Sequence, residues 1–174
     1  MKKARTVAIW ATLGLALVLM GGYLLLPVTR VQLNLSSMAG NREHSVILSV
    51  APGGRIGIGF EHSLYKVEQV ETYFVQKSGL LLKSVYFGSF DALNYYDPIG
   101  ELPRKSKGTG YEVVFRRSVP GEIKFSIARS TPIWLVVGDD PPLFLTDIPK
   151  DFTQFSLQTI RRPRIQILLG KLRS

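Results

Sequence analysis

Arg55–Val75, RIGIGFEHSLYKVEQVETYFV, decides the fold class. Ile56, Ile58 and Phe60 alternate with Gly57, Gly59 and Glu61, the period of two expected of a half-buried strand. A second strand starts at Val70–Val75, and the polar residues between read as a loop, so the stretch predicts an antiparallel pair. His62 shares the parity of Ile58 and Phe60 and is expected to point inward at the strand end. Setting His62 opposite Glu71 places Phe60 beside Tyr73 and Ile58 beside Val75, and makes Ser63–Val70 an eight-residue loop.

Outward from this pair the same signals repeat. Upstream, Val28–Leu35 and His44–Val50 alternate on either side of the turn-rich Ser36–Glu43, and Pro52-Gly53-Gly54 makes a tight reversal into the central strand. Downstream, Lys77-Ser78-Gly79 separates Val70–Val75 from a strand at Leu80–Phe90. Further strands are predicted at Tyr111–Arg117, Glu122–Ala128, Ile133–Val137, Phe144–Ile148, Phe152–Gln158 and Arg164–Leu169. Turns are expected at Val119-Pro120-Gly121, Ser130-Thr131-Pro132 and Asp139-Asp140. No helical period is read after Pro27. Residues 28–174 therefore read as one all-β domain, an antiparallel β-sandwich or a partly open barrel. Asp91–Gly110 breaks the pattern and is longer than most loops, which marks it as functional or mobile.

Residues 1–27 are different. Thr6–Leu26 runs 21 residues without a charge, roughly 30 Å of helix, which matches the hydrocarbon core of a bilayer. Lys2, Lys3 and Arg5 precede it, Trp10 and Tyr23 lie toward its two ends, and Pro27 stops it. The apolar run is longer than a signal-peptide core and does not end in a small-x-small site, since Gly21-Gly22 is followed by four more apolar residues and Pro27. The expectation is one uncleaved transmembrane helix, a cytoplasmic tip, and an exported domain on the periplasmic side of the cytoplasmic membrane. One span excludes a pore or carrier formed by this chain alone.

The 174 residues carry a net charge of +9 and no cysteine. Thiol catalysis, disulfides and thiolate metal sites are thereby excluded. Lys2, Lys3 and Arg5 account for three of the positive charges, leaving 19 basic against 13 acidic residues from Pro27 onward. Those charges are scattered apart from Arg116-Arg117 and Arg161-Arg162-Pro163-Arg164, and no nucleic acid is expected as a partner. Of the two histidines, His44 reads as exposed beside Glu43, and His62 as a core-edge side chain. His62 and Ser63 are adjacent on a strand and so face opposite ways, which disfavours a nucleophile–base pair. No third ligand accompanies His62 and its neighbouring glutamates, so no metal, cofactor or catalytic residue is assigned. Within the long loop, Tyr95 and Tyr96 followed by Arg104 and Lys105 have the composition of a protein-contact surface.

Phe60-x-His62-Ser63-x-x-Lys66, then Glu71 and Tyr73, then Phe87-x-Ser89-Phe90, resemble a family of exported bacterial proteins classed as a domain of unknown function. Its members are often encoded beside tripartite ATP-independent periplasmic (TRAP) transporters of the TAXI type. The resemblance spans roughly Val31 to Gln158. It departs at Val67-Glu68, where the family carries Thr-Pro, and at Asp91-Ala92-Leu93-Asn94, in place of a glycine-rich corner. It makes His62, Ser63, Lys66, Glu71 and Ser89 the candidate binding residues. It implies a non-catalytic, membrane-tethered accessory protein of solute uptake that contacts a transporter permease or a substrate-binding protein. The alternative expectation is an envelope domain that binds a small ligand or metal through His62.

Overall fold

Alternation in the sequence becomes alternation in burial. In β1 (Pro27–Ser36), Val31, Leu33 and Leu35 are buried, while Arg30, Gln32 and Asn34 between them keep part of their surface. In β3 (Arg55–Glu61), Ile56 and Ile58 are fully buried, and in β5 (Gly79–Phe87) Leu80, Val85 and Phe87 are too. The computed structural model describes residues 2–37, 42–128 and 130–171, and within these ranges the side chains of residues 2–9, 116, 120, 170 and 171 fall outside the description. The middle of the expected Ser36–Glu43 turn, residues 38–41, lies outside the described residues.

The chain divides into two compact units, residues 30–160 and residues 1–29 with 161–174. The larger unit is built of two antiparallel sheets. One has the order β2-β1-β11-β8, with β2 at Glu43–Leu48, β8 at Glu122–Ser126 and β11 at Gln154–Pro163. Thr153 N donates to Ser36 O and Arg164 N to Leu26 O, so β1 and β11 run antiparallel. The other sheet has the order β10-β9-β3-β4-β5-β7-β6. Its remaining strands are β4 (Glu68–Gln76), β6 (Arg104–Lys107), β7 (Gly110–Pro120), β9 (Ile133–Val137) and β10 (Leu143–Phe144). Val31, Leu33, Phe155 and Leu157 of the first sheet and Ile56, Ile58, Leu80, Phe87 and Leu135 of the second join one core. Fully burying side chains of this size contributes about 1.5–3 kcal/mol each. The all-β, sandwich-like class expected from the sequence is what the sheets form.

Turn chemistry follows the glycines. At Ala51-Pro52-Gly53-Gly54, Gly54 N donates to Ala51 O at 2.9 Å and Gly53 takes φ 88°, which a side chain would resist. Gly59 is opposite Trp134, and a Cβ there would collide with the indole, so the strand keeps glycine where a ring crosses it.

Four expectations need correction. The β3–β4 register pairs Ile58 with Glu71, Ile56 with Tyr73 and Phe60 with Gln69, so His62 is not opposite Glu71. His62 N donates to Val67 O at 2.7 Å and Lys66 N to His62 O at 2.8 Å, closing the turn four residues earlier along β4 than the expected pairing. An even slip preserves every face, which is why alternation alone did not detect it. Asp91–Gly110 is not irregular throughout: α2 (Phe90–Tyr96) and β6 lie in it. Phe144–Ile148 is mostly a 3-10 turn, Leu145–Asp147, rather than a strand. Arg164–Leu169 is helical, the body of α3 (Arg164–Lys171). Ile165, Leu168 and Leu169 have helical spacing as much as Ile165, Ile167 and Leu169 have strand spacing, so the period there was ambiguous.

In the smaller unit, α1 (Lys2–Leu25) ends where the sequence places its stop, just before Pro27, and α3 lies against it. Among the described residues no helix is long and apolar enough to cross a membrane. The described side chains of α1 begin at Trp10, leaving about 24 Å of helix to Leu25. Along that length Trp10, Leu13, Leu17, Met20 and Leu25 are all exposed.

Candidate functional site: an aromatic surface around α2

Ser89 starts α2. Its backbone is extended, and its hydroxyl accepts from Ala92 N at 3.2 Å, one of the amides a helix start leaves open. Asp91 in the first turn adds favourable charge. Ala92 and Leu93 are the buried side of the helix, and Tyr95 and Tyr96 end it. Asp97 then organises the following loop: its carboxylate accepts from Gly100 N and Glu101 N at 3.2 Å and Leu102 N at 3.0 Å. Asp97 is itself buried. Sequence reading passed over it, although Asp-Pro-x-Gly is a recognisable turn start.

The His62 turn meets this helix. His62 Nδ1 accepts from Leu64 N at 3.3 Å and Tyr65 N at 3.4 Å, which leaves the ring proton on Nε2. The imidazole lies 5.2 Å from the Tyr65 ring and 5.8 Å from Tyr95, edge-on, and the two tyrosine rings are 6.2 Å apart. Lys66 closes the turn in the left-handed region, φ 54°, with its ammonium 3.6 Å from Glu61. Tyr96 packs on Phe87 and Phe115, while Phe90 packs on Tyr111 beneath the Arg104 guanidinium, 5.7 Å from the ring centroid. Tyr95 and Ile99 stay 65% and 79% exposed, and Leu64, Phe90 and Tyr96 are also exposed.

Of the residues expected to form a contact surface, Tyr95, Tyr96 and Arg104 therefore gather around α2. Lys105 does not. The pleat turns it to the other face of β6, where Lys105 and Lys107 each reach Glu112 at 2.8 Å. Ser84 Oγ also donates to Glu112 at 3.0 Å. Burial pushes the Glu112 carboxyl upward, but these three donors outweigh it and hold its pKa at about 2.

The motif residues are divided too. Ser63 lies with His62 at a cavity of about 330 Å³ that Phe60, Gln69, Phe125 and Ile133 also line. Glu71 sits in the row Leu135–Ile58–Glu71–Val85–Val113, a carboxylate among apolar neighbours. Burial raises its pKa, and the hydrogen bond from Tyr73 Oη at 2.5 Å opposes that rise. Burial likewise raises Tyr96, with the Glu71 charge adding to it and Arg117 opposing. Ser89 acts as the helix cap. A polar recess of about 560 Å³ on the outer face of the smaller sheet includes His44 and is lined largely by amide and hydroxyl side chains. Among the described residues no cluster of three or more His, Asp or Glu is placed to hold a metal ion.

No family model, no curated protein and no solved structure matches the chain. Fold and site define the class: a helix followed by an all-β domain of two antiparallel sheets, with an aromatic surface on the short helix between β5 and β6.

Proposed function

We propose that this chain is a non-catalytic, membrane-tethered module that acts by protein contact. In this reading Thr6–Leu26 anchors it in the cytoplasmic membrane, with the two-sheet domain on the extracytoplasmic side. The observation that carries the contact role is the exposure of large apolar groups on three consecutive supports: Leu64 on the His62 turn, whose His62 and Tyr65 rings meet Tyr95, then Phe90, Tyr95 and Tyr96 on α2, and Ile99 in the Asp97-bound loop. Large apolar and aromatic side chains held by ordered backbone are what interface hot spots are made of. The anchor reading is supported by the uncharged run from Thr6 to Leu26 and by the exposure of α1 apolar side chains at successive positions Leu17, Val18, Leu19 and Met20. A helix apolar all round is a helix that lipid or protein must surround. The resemblance adds the kind of partner, a permease or substrate-binding protein of TRAP-type solute uptake.

A photo-crosslinking residue at Tyr95 in the full-length chain, expressed in its own membranes, tests the reading. The expected outcome is a crosslink to a transport component, weakened on the order of tenfold by Ile99→Ser with Leu64→Ser. Undiminished crosslinking in that double variant would overturn it. Tyr96 is unsuited to this test, because its packing on buried Phe87 ties it to the core.

The 330 Å³ cavity supports a second reading, a small-ligand site at His62 and Ser63. Thermal stabilisation by a small organic anion or a divalent ion, abolished by His62→Gln, is its expected signature.

A further inference from the structure

The end of the chain is unlike the rest of it. From Thr159 to Ser174 there are five basic residues and no acidic one. Arg161 and Arg162 at the end of β11 are exposed. In α3, Ile167 is buried, yet Leu168 and Leu169 are 53% and 52% exposed, and Ile165 is exposed on the same stripe, at i, i+3 and i+4. A short helix with one buried apolar residue and a separate, uncovered apolar stripe has a second surface to satisfy.

Its position says which surface. Arg164, the first residue of α3, donates its backbone N–H to Leu26 O, at the end of α1. Its guanidinium lies 4.0 Å over the Tyr23 ring and also hydrogen-bonds the Tyr23 hydroxyl. Tyr23 belongs to the last turns of α1, where an aromatic ring with a polar tip favours the headgroup layer of a bilayer. The start of α3 is thereby fixed at the level where the proposed anchor leaves the membrane.

We infer that α3 is an interfacial helix. Ile165, Leu168 and Leu169 enter the boundary between headgroups and acyl chains, and Arg161 and Arg162 bind anionic lipid phosphates. This rests on the anchor reading for α1. Apolar side chains beside a cluster of arginines match such a layer in both polarity and charge.

The chain has no cysteine, so one introduced thiol is unique. The full-length protein is reconstituted in vesicles of phosphatidylcholine with or without phosphatidylglycerol. An environment-sensitive fluorophore is placed at Leu168→Cys, or at Leu17→Cys in α1 for comparison. The expected result at 168 is quenching by lipid-borne bromine near the headgroups and several-fold protection from aqueous iodide, in the anionic vesicles above all. Arg161→Gln with Arg162→Gln should remove most of that difference between the two vesicle types. Iodide reaching position 168 freely, while position 17 remains quenched by lipid, overturns the interfacial helix and leaves the anchor standing. Iodide reaching position 17 overturns the anchor itself. Protection of position 168 without lipid quenching assigns the stripe to a protein occupant and overturns the lipid assignment. Equal lipid quenching with and without the arginines overturns the anionic headgroup as the ligand.

Discussion

Apart from Ser63, the residues of the His-Ser-x-x-Lys motif and its companions have local jobs. His62 caps its own turn through Nδ1, Lys66 supplies the left-handed residue, Tyr73 holds the Glu71 carboxylate, and Ser89 starts α2. Two glutamates on opposite faces of one sheet carry opposite pH dependence. Glu112 has a folded pKa of about 2 against an ordinary 4.5. A depressed acid contributes stability that is complete above 4.5 and is lost as pH falls through about 2. Glu112→Gln should lower stability at neutral pH by about 1 kcal/mol, since both lysines are more than half exposed and solvent screens them. It should also flatten the acid limb of the melting temperature against pH, and an unchanged limb would refute the assignment. Burial raises the Glu71 pKa, so the folded chain holds this proton more tightly than the unfolded chain does. The Glu71 contribution is complete below the ordinary 4.5 and declines as pH rises through the raised value. Glu71→Gln keeps an acceptor for Tyr73 and removes the buried charge. A gain of about 1 kcal/mol at neutral pH, vanishing in acid, is the expected difference in denaturant midpoints.

At the scale of elements, α2 depends on its cap. Ser89→Ala leaves an amide open and should cost about 1 kcal/mol. The near-ultraviolet circular dichroism of the α2 tyrosines should weaken with it, whereas Ser89→Asp should restore both signals. A normal signal in the alanine variant would mean that Leu93 and Tyr96 hold the helix unaided. The β3–β4 hairpin shows why elements were easier to find than their pairing. Alternation marks which residues share a face, but a slip by an even number keeps those faces. The turn from His62 to Val67 decided the register, through two backbone hydrogen bonds and one left-handed lysine.

At the scale of the whole molecule, the anchor reading makes a biochemical prediction. The mature protein should stay with the membrane pellet after alkaline carbonate extraction, and its N-terminus should precede Thr6. A mature N-terminus near Pro27 would show cleavage and remove the tether. The all-β class, most strand positions and the end of α1 at Pro27 were legible in the amino-acid sequence. They depend on local chemistry: apolar alternation, turn glycines and a proline. Four things were decided by turn geometry, pleat and packing together. Arg164–Lys171 became helix where its apolar residues suited either period, and it lies against α1. Lys105 parted from Arg104 because successive residues of a strand face opposite ways, and Glu112 waited on its side. Glu71 joined an apolar row because the register slipped by an even step. His62 came to rest against Tyr95, 33 positions along the chain, because β4 and β5 return the backbone to it before α2 begins. Periodicity reports the face a residue takes, and only the packed sheet reports what it finds there.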